Sequence, residues 1–335
     1  MSENPTIKDV AAKAKVSVAT VSRVLNNLPG FSTETEKKVQ QAITDLGYRY
    51  NAVARNLKIK KTNTIAVLIP KVETTFYVKI LNGIEDAANE CNNSVIVCHV
   101  GISGSRTREY VRMLTERQVD GIIGCSLPPD EKIDGLMAHC GIPCVLVSTL
   151  STKYPIPYIR VDDYKASYAA TEYLIRKGHT RIANLAGSQD DIVAGALRLK
   201  GYRQALADNG IPLDESLIQY TRFSYESGLA AARRLMRKAG EFTGVVACCD
   251  EVASAALMAA YESGLSIPED FSIVGYDNTV ASEMAIPPLT TVSQPLYEMG
   301  QHAFRMLCAV QKEGLNQQSE VLPYQIVERR SVRQL

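Results

Sequence analysis

Residues 6–27 read TIKDVAAKAKVSVATVSRVLNN. Ile7, Val10, Ala11 and Ala14 fall at helical spacing, so one face of a short first helix is apolar. Val16 sits at a turn. Ser17 is a good N-cap residue, and its hydroxyl is expected to hold the backbone N–H of Thr20. Val21, Val24 and Leu25 form the inner face of a second helix. A third helix is expected at about 33–46, TETEKKVQQAITDL, opening with a Thr/Glu capping signature. Helix, tight turn and helix, closed by a third helix, is the helix-turn-helix plan.

Charge supports a polyanionic partner for this head. Residues 1–61 hold 11 Lys/Arg against 5 Asp/Glu, a balance of +6, while the remainder holds 26 against 31, a balance of −5. The bland alternative is a solvated basic face with no partner. If the second helix enters a DNA major groove, Ser17, Val18, Ala19, Ser22 and Arg23 point at base edges. Arg23 can pair bidentately with guanine O6 and N7, whereas Val18 and Ala19 can only meet thymine methyls. Thr20 and Asn26 are better placed for phosphates, which set register rather than sequence.

Beyond Thr64 the texture changes to apolar strands alternating with amphipathic helices. Strands are expected at 64–69, 94–98, 121–125, 143–148, 159–161, 181–186, 244–248, 271–276 and 325–328. Helices are expected at 78–92, 164–177, 191–209, 225–239, 250–263 and 296–312. Continuous apolar strands between helices imply parallel sheets covered on both faces. The fold class read here is therefore α/β: a three-helix head at 1–50, a linker at 51–62, and a two-lobed, doubly wound body at 63–330. Lobe one is expected at about 63–160 and 291–320, lobe two at about 161–290 and 321–330. A cleft between such lobes is a natural ligand site.

Other classes find little support. No apolar run approaches the roughly 18 residues needed to cross a bilayer. The opening MSENPTIKDV lacks a signal pattern, so a cytoplasmic location is expected and a periplasmic binding protein is not. Eight scattered cysteines without a CxxC pair read as reduced, mostly buried thiols. There is no GxxxxGK[ST], GxSxG or HExxH, the four histidines stand alone, and GISGS at 101–105 is too weak a phosphate cradle. An enzyme on the α/β body is the alternative these absences oppose; no cofactor or metal is expected.

The head, the following LGYRYNAVARNL, and the body stretches VDDYKASYAATEYLIRKGHTRIANLAG, RLKGYRQAL, ESGLSIPEDFSIVGYDNT and PPLTTVSQPLYEMG together resemble the lactose-repressor (LacI/GalR) family of bacterial regulators. The resemblance runs to about residue 330. It implies a transcription regulator, most simply a repressor, that binds a near-palindromic operator as a homodimer. It also implies that the linker forms a hinge helix in the minor groove, with Asn51, Ala54 and Arg55 at the DNA and Leu57 wedged into a base step. Tyr50 stands where the family usually has proline, which loosens the start of that helix. In the body, the resemblance assigns effector contacts to Arg198 and Asp277, with the aromatic pair Phe76 and Tyr77 facing them from lobe one. Asp163 and Asp250 are further cleft candidates. Cys249 stands where many relatives have asparagine, so the ligand cannot be copied from a relative. A sugar or sugar phosphate is expected, with lobe crossings near 159–163, 287–294 and 320. QPLYEMGQHAFRML leans toward the catabolite-control branch, which implies a phosphorylated carrier protein as a further partner. No membrane partner is expected.

Overall fold

In the head, the small apolar residues of three short helices meet at one point. Helix α1 (Ile7–Ala14) starts where the Thr6 backbone N–H donates to Asp9 (2.7 Å) and ends at Lys15 in the left-handed region. Helix α2 (Val18–Leu25) is capped by Ser17, whose Oγ accepts from the Thr20 N–H at 3.0 Å. Helix α3 (Thr33–Leu46) is capped by Ser32, one residue before the expected Thr/Glu signature, because the Ser32 hydroxyl reaches the Thr35 N–H. Val10, Ala11, Ala14, Val21, Val24, Val39 and Ala42 form the buried centre.

The computed structural model describes residues 5–25, 28–48, 61–70, 75–101, 104–128, 130–314 and 317–335. It divides into two units, Met1–Lys61 and Thr62–Leu335, each described by itself. Asn26, Asn51, Ala54, Arg55 and Leu57 lie outside the described residues.

The body contains two six-stranded sheets. The first is built from β1 (Thr64–Ile69), β2 (Ser94–His99), β3 (Gly121–Cys125), β4 (Cys144–Val147), β5 (Tyr158–Val161) and β11 (Glu320–Leu322), in the order β11-β5-β4-β3-β1-β2. The second contains β6 (Ile182–Ala186), β7 (Ile218–Tyr220), β8 (Gly244–Ala247), β9 (Ser272–Asp277), β10 (Thr290–Ser293) and β12 (Gln325–Val327), in the order β12-β10-β9-β8-β6-β7. Pairings are parallel except that β12 runs against β10. Buried central strands such as β3, β4 and β6 carry no polar alternation because both of their faces are covered. In β1, Ile65, Val67 and Ile69 join one core and Ala66 and Leu68 the other, as the two-residue pleat requires.

The helices of the first lobe are α4 (Thr75–Glu90), α5 (Thr107–Glu116), α6 (Glu131–His139) and, from beyond the second sheet, α12 (Leu296–Glu313). Those of the second are α7 (Asp163–Arg176), α8 (Arg198–Asp208), α9 (Tyr225–Met236), α10 (Asp250–Glu262) and α11 (Val280–Met284). The chain crosses between lobes between β5 and α7, between β10 and α12, and between β11 and β12. The last two crossings fall at 293–296 and 322–325, because β10 pairs into sheet two and β11 into sheet one. The expected lobe boundaries at 290/291 and 320/321 are corrected by that pairing.

Candidate functional site

The carboxyl ends of parallel strands gather loops and helix N-termini, and the second lobe concentrates its polar residues there. At the end of β9, Asp277 (φ 107°) and Asn278 (φ 54°) leave the ordinary backbone regions. Such strain persists only where the surroundings over-determine it. Arg198 reaches the same place from α8. A single π-type turn, Ile192–Leu197, runs into α8 and is capped by Asp191, which accepts from the Val193 and Ala194 N–H groups at 2.9 and 2.8 Å. Turns of this kind recur at functional sites.

Arg198 is 8% exposed and bound on several sides. Its Nε donates to Asp163 Oδ1 (2.8 Å), a terminal nitrogen donates to the Cys248 carbonyl (2.6 Å), and the guanidinium lies 3.6 Å from the centre of the Tyr276 ring. Asp277 Oδ1 stands 4.0 Å from the guanidinium and accepts from the Gln294 amide at 2.6 Å. The Tyr276 hydroxyl donates to Asp163 at 3.3 Å. Burial would lower the arginine, but Tyr276, Asp163 and Asp277 together hold it above its ordinary value. Burial pushes Asp277 well up against the opposing pull of Arg198, and Asp250 and Glu251 push it further.

Thus Asp163, Arg198 and Asp277 come together, with Cys249 buried beside them as the N-cap of α10. Asp250, the first residue of α10, is held by a separate set of donors. It is fully buried, and its two oxygens accept from the Thr279 N–H (2.7 Å), the Thr279 hydroxyl (3.0 Å) and the Thr291 hydroxyl (2.7 Å). It ties the loop after β9 to α10. Burial pushes its carboxyl up to about 6.

From the first lobe, the half-buried rings of Phe76 and Tyr77 pack edge to face with centroids 5.2 Å apart. Burial, then Cys125, Asp191 and Asp277, push the Tyr77 phenol up while a hydrogen bond with Ser126 opposes them. Asp191 and Asp277 belong to the opposite lobe, so Tyr77 faces the Arg198 cluster across the cleft. Lys79 also crosses the cleft, its Nζ donating to the Asn278 carbonyl at 2.8 Å.

Several participants were missed from sequence. Tyr276 sits inside an apolar strand and reads as core. Gln294 stands in a lobe crossing. Phe223 has φ 56°, and its ring lies where a side chain on Gly187 would stand, so it covers the ends of β6 and β7. Two hollows, of about 300 and 580 Å³, flank the Gly187–Gly195 stretch and are lined in part by Lys200 and Arg203, and by Arg222 and Arg234. They are separate from the Arg198 cluster.

In the head, Val18, Ala19 and Arg23 are exposed, and Ser22 and Thr20 partly so. The Thr20 hydroxyl shares a 2.8 Å hydrogen bond with Ser17 Oγ, so it helps to cap α2. The exposed, non-core face of α2 is therefore the one assigned to base edges.

Residues 62–327 match the periplasmic binding proteins and sugar binding domain of LacI family, and residues 6–51 match the bacterial regulatory proteins of the lacI family. This chain belongs to the LacI family. Catabolite control protein A of Priestia megaterium is 36% identical over 331 residues, covering 98% of this chain and 100% of the relative. Among solved structures, a lac repressor dimer bound to operator and an anti-inducer superposes with TM-score 0.88 and 29% identity, covering 99% of this chain and 100% of that one. A complex of the transcriptional regulator CelR with cellobiose gives TM-score 0.75 and 34% identity, covering 98% and 99%. As a LacI-family member the chain is a DNA-binding transcription regulator with a sugar-binding type of body, and not an enzyme. Among the described residues no helix is long and apolar enough to cross a membrane.

Proposed function

We propose that this regulator binds a near-palindromic operator as a homodimer in the cytoplasm and is controlled by a sugar or sugar derivative held between the lobes. The observation that carries the ligand reading is the convergence of Arg198, Asp163 and Asp277 at the ends of the second sheet, opposite Phe76 and Tyr77. A fork of N–H donors, carboxylate acceptors and an aromatic wall suit a compact ligand rich in hydroxyls. The likeness to the cellobiose complex points the same way. For the head, the exposed Arg23 on α2 supports base readout, and Ser17, Val18, Ala19, Thr20, Ser22 and Asn26 complete the contact set. Asn51, Ala54, Arg55 and Leu57 are assigned to the minor groove by family resemblance. Exposed Met284 and Ile286, with Tyr261 on the contacting helix α10, supply an apolar surface for the second protomer.

The ligand acts through its different affinities for two interlobe arrangements, as any effector must. Selection of bound duplexes from a random library, repeated with a panel of sugars and sugar phosphates, tests the whole reading. A palindrome whose recovery changes with one sugar supports it. Enrichment of no sequence under any condition refutes the DNA assignment. The similarity to catabolite control protein A favours a second controller, a phosphorylated carrier protein. Enrichment that requires such a protein, and ignores every sugar, would establish that reading instead.

A further inference from the structure

Two of the eight cysteines face each other in the first lobe. Cys140 is the C-cap of α6 and partly exposed, while Cys144 opens β4 and is buried. Their sulfurs lie 4.0 Å apart. Both converge on the same two carbonyls: Cys140 Sγ is 3.3 Å from the Met137 oxygen and 3.6 Å from that of Ile142, and Cys144 Sγ is 3.4 and 3.3 Å from them. The connection Cys140-Gly141-Ile142-Pro143-Cys144 doubles back through Gly141, whose φ of 75° a side chain would resist.

We propose that Cys140 and Cys144 form a peroxide-sensitive dithiol that closes into an intramolecular disulfide. Cys140 is the attacking thiol because it is the more accessible. The hydrogen bond from Cys144 lowers it to about 6, and the same pairing, with burial, holds Cys144 protonated as the donor. The Cys140 thiolate attacks one oxygen of hydrogen peroxide. An S–O bond forms, the O–O bond breaks, and the departing hydroxide takes a proton and leaves as water. Cys144 then gives up its proton and attacks the sulfenic sulfur; the S–S bond forms and the second oxygen leaves as water. One peroxide is reduced to two waters while two thiols are oxidised to one disulfide. Closing the gap to a bond of ~2 Å asks for a movement of about 2 Å, shared between a helix-end residue and its neighbour.

The consequence is local to the end of α6 and the start of β4, an interior strand of the first sheet. The Met137 carbonyl lies in the last turn of α6, where the helix supplies no donor, and the two thiols stand within reach. Oxidation removes the one S–H left beside that carbonyl, that of Cys144, and loosens the turn. Cys144 pairs with Ile122, which pairs with Ala66, so the event occurs two strands from the start of β1.

The test uses the full chain treated with graded hydrogen peroxide, quenched with iodoacetamide in guanidinium chloride, and digested with trypsin. Cleavage after Lys132 and Lys153 releases residues 133–153, which hold both cysteines and no others. The expected result is a peptide that has lost two hydrogens, takes up no alkyl group, and regains two on treatment with dithiothreitol. This should occur at doses that leave the exposed Cys91 still alkylated. In Cys144→Ala, Cys140 should stop at the sulfenic or sulfinic stage; in Cys140→Ser, which spares the core, Cys144 should stay alkylatable. A wild-type peptide carrying two alkyl groups while Cys91 is oxidised overturns the proposal, as does sulfinic acid at Cys140 in the wild type.

Discussion

Arg198 illustrates how a single buried charge is made tolerable. Asp163 balances it, the Cys248 carbonyl accepts from it, and the Tyr276 face covers it. Replacing it with methionine leaves buried Asp163 with Arg160, 3.8 Å away, as its remaining cationic neighbour, which should cost roughly 3 kcal/mol. Arg198→Lys keeps the charge but loses the planar fork, so sugar response should disappear with a smaller stability loss. Urea unfolding beside ligand titration separates the two effects. Asp250 gives a pH signature. Its carboxyl stands at about 6 in the folded protein against 3.8 when exposed, so the folded state binds the proton more tightly. That contribution is complete below pH 3.8 and is lost as pH rises through about 6, a fall of at most about 3 kcal/mol. Asp250→Asn should flatten this part of the stability profile, and an unchanged slope would refute the assignment. Asp163, Arg198 and Asp277 were readable because the motifs around them resemble a family. The hydrogen-bond partners of Asp250 were not legible, because an acid after a strand can cap or bind and its donors, Thr279 and Thr291, lie 29 and 41 residues away.

At the level of elements, two glycines let helices touch backbone to backbone. A side-chain carbon on Gly83 of α4 would stand 2.0 Å from the Tyr297 carbonyl oxygen, and one on Gly300 of α12 would stand 2.1 Å from that of Ile80. Gly300→Ala should therefore separate α4 from α12 and lower body stability by about 1–3 kcal/mol, read from the thermal midpoint. In the head, Ser17→Ala removes the α2 cap and should cost ~1 kcal/mol there, with weaker operator binding in a mobility-shift titration. Long periodic elements were legible: β1 and β3 fall on their expected spans, and α7, α10 and α12 within a residue or two. The short strands β7, β10 and β11 were not anticipated, since three or four residues carry too little pattern, and helices α5, α6 and α11 were not among the segments singled out. The stretch 191–209 reads as one helix, yet its first turn is π. The widened turn shows in geometry alone, where the Ser188 carbonyl oxygen lies 1.8 Å from a side chain built on Gly195.

For the whole molecule, the division at residue 61/62 makes a direct expectation. A chain beginning at Thr62 should still bind its sugar, seen by calorimetry, and should lose operator binding entirely. Leu57→Ala in the full chain should weaken specific binding at least tenfold while leaving non-specific binding within twofold; equal losses would remove the wedge role. The two-lobed plan was legible because alternating strands and helices recur twice. The points of crossing were placed a few residues early, because pairing across the sheet, rather than local composition, decides which lobe owns a strand.

The order of assembly follows from those crossings. Sheet one lacks β11 and the cover of α12 until residue 322 is made, and sheet two lacks β10 and β12 until residue 327. Ser331 then stitches the tail inward, its hydroxyl donating to the Ile273 carbonyl and accepting from the Thr290 N–H. A growing chain on the ribosome therefore completes its head within the first 50 residues but carries unfinished sheets for about the next 270. Both lobes close almost together, once residues 322 and 327 are made. A message cut short before that point yields a folded head attached to a body that cannot form, so premature termination releases the head's chemistry without the body that pairs and controls it.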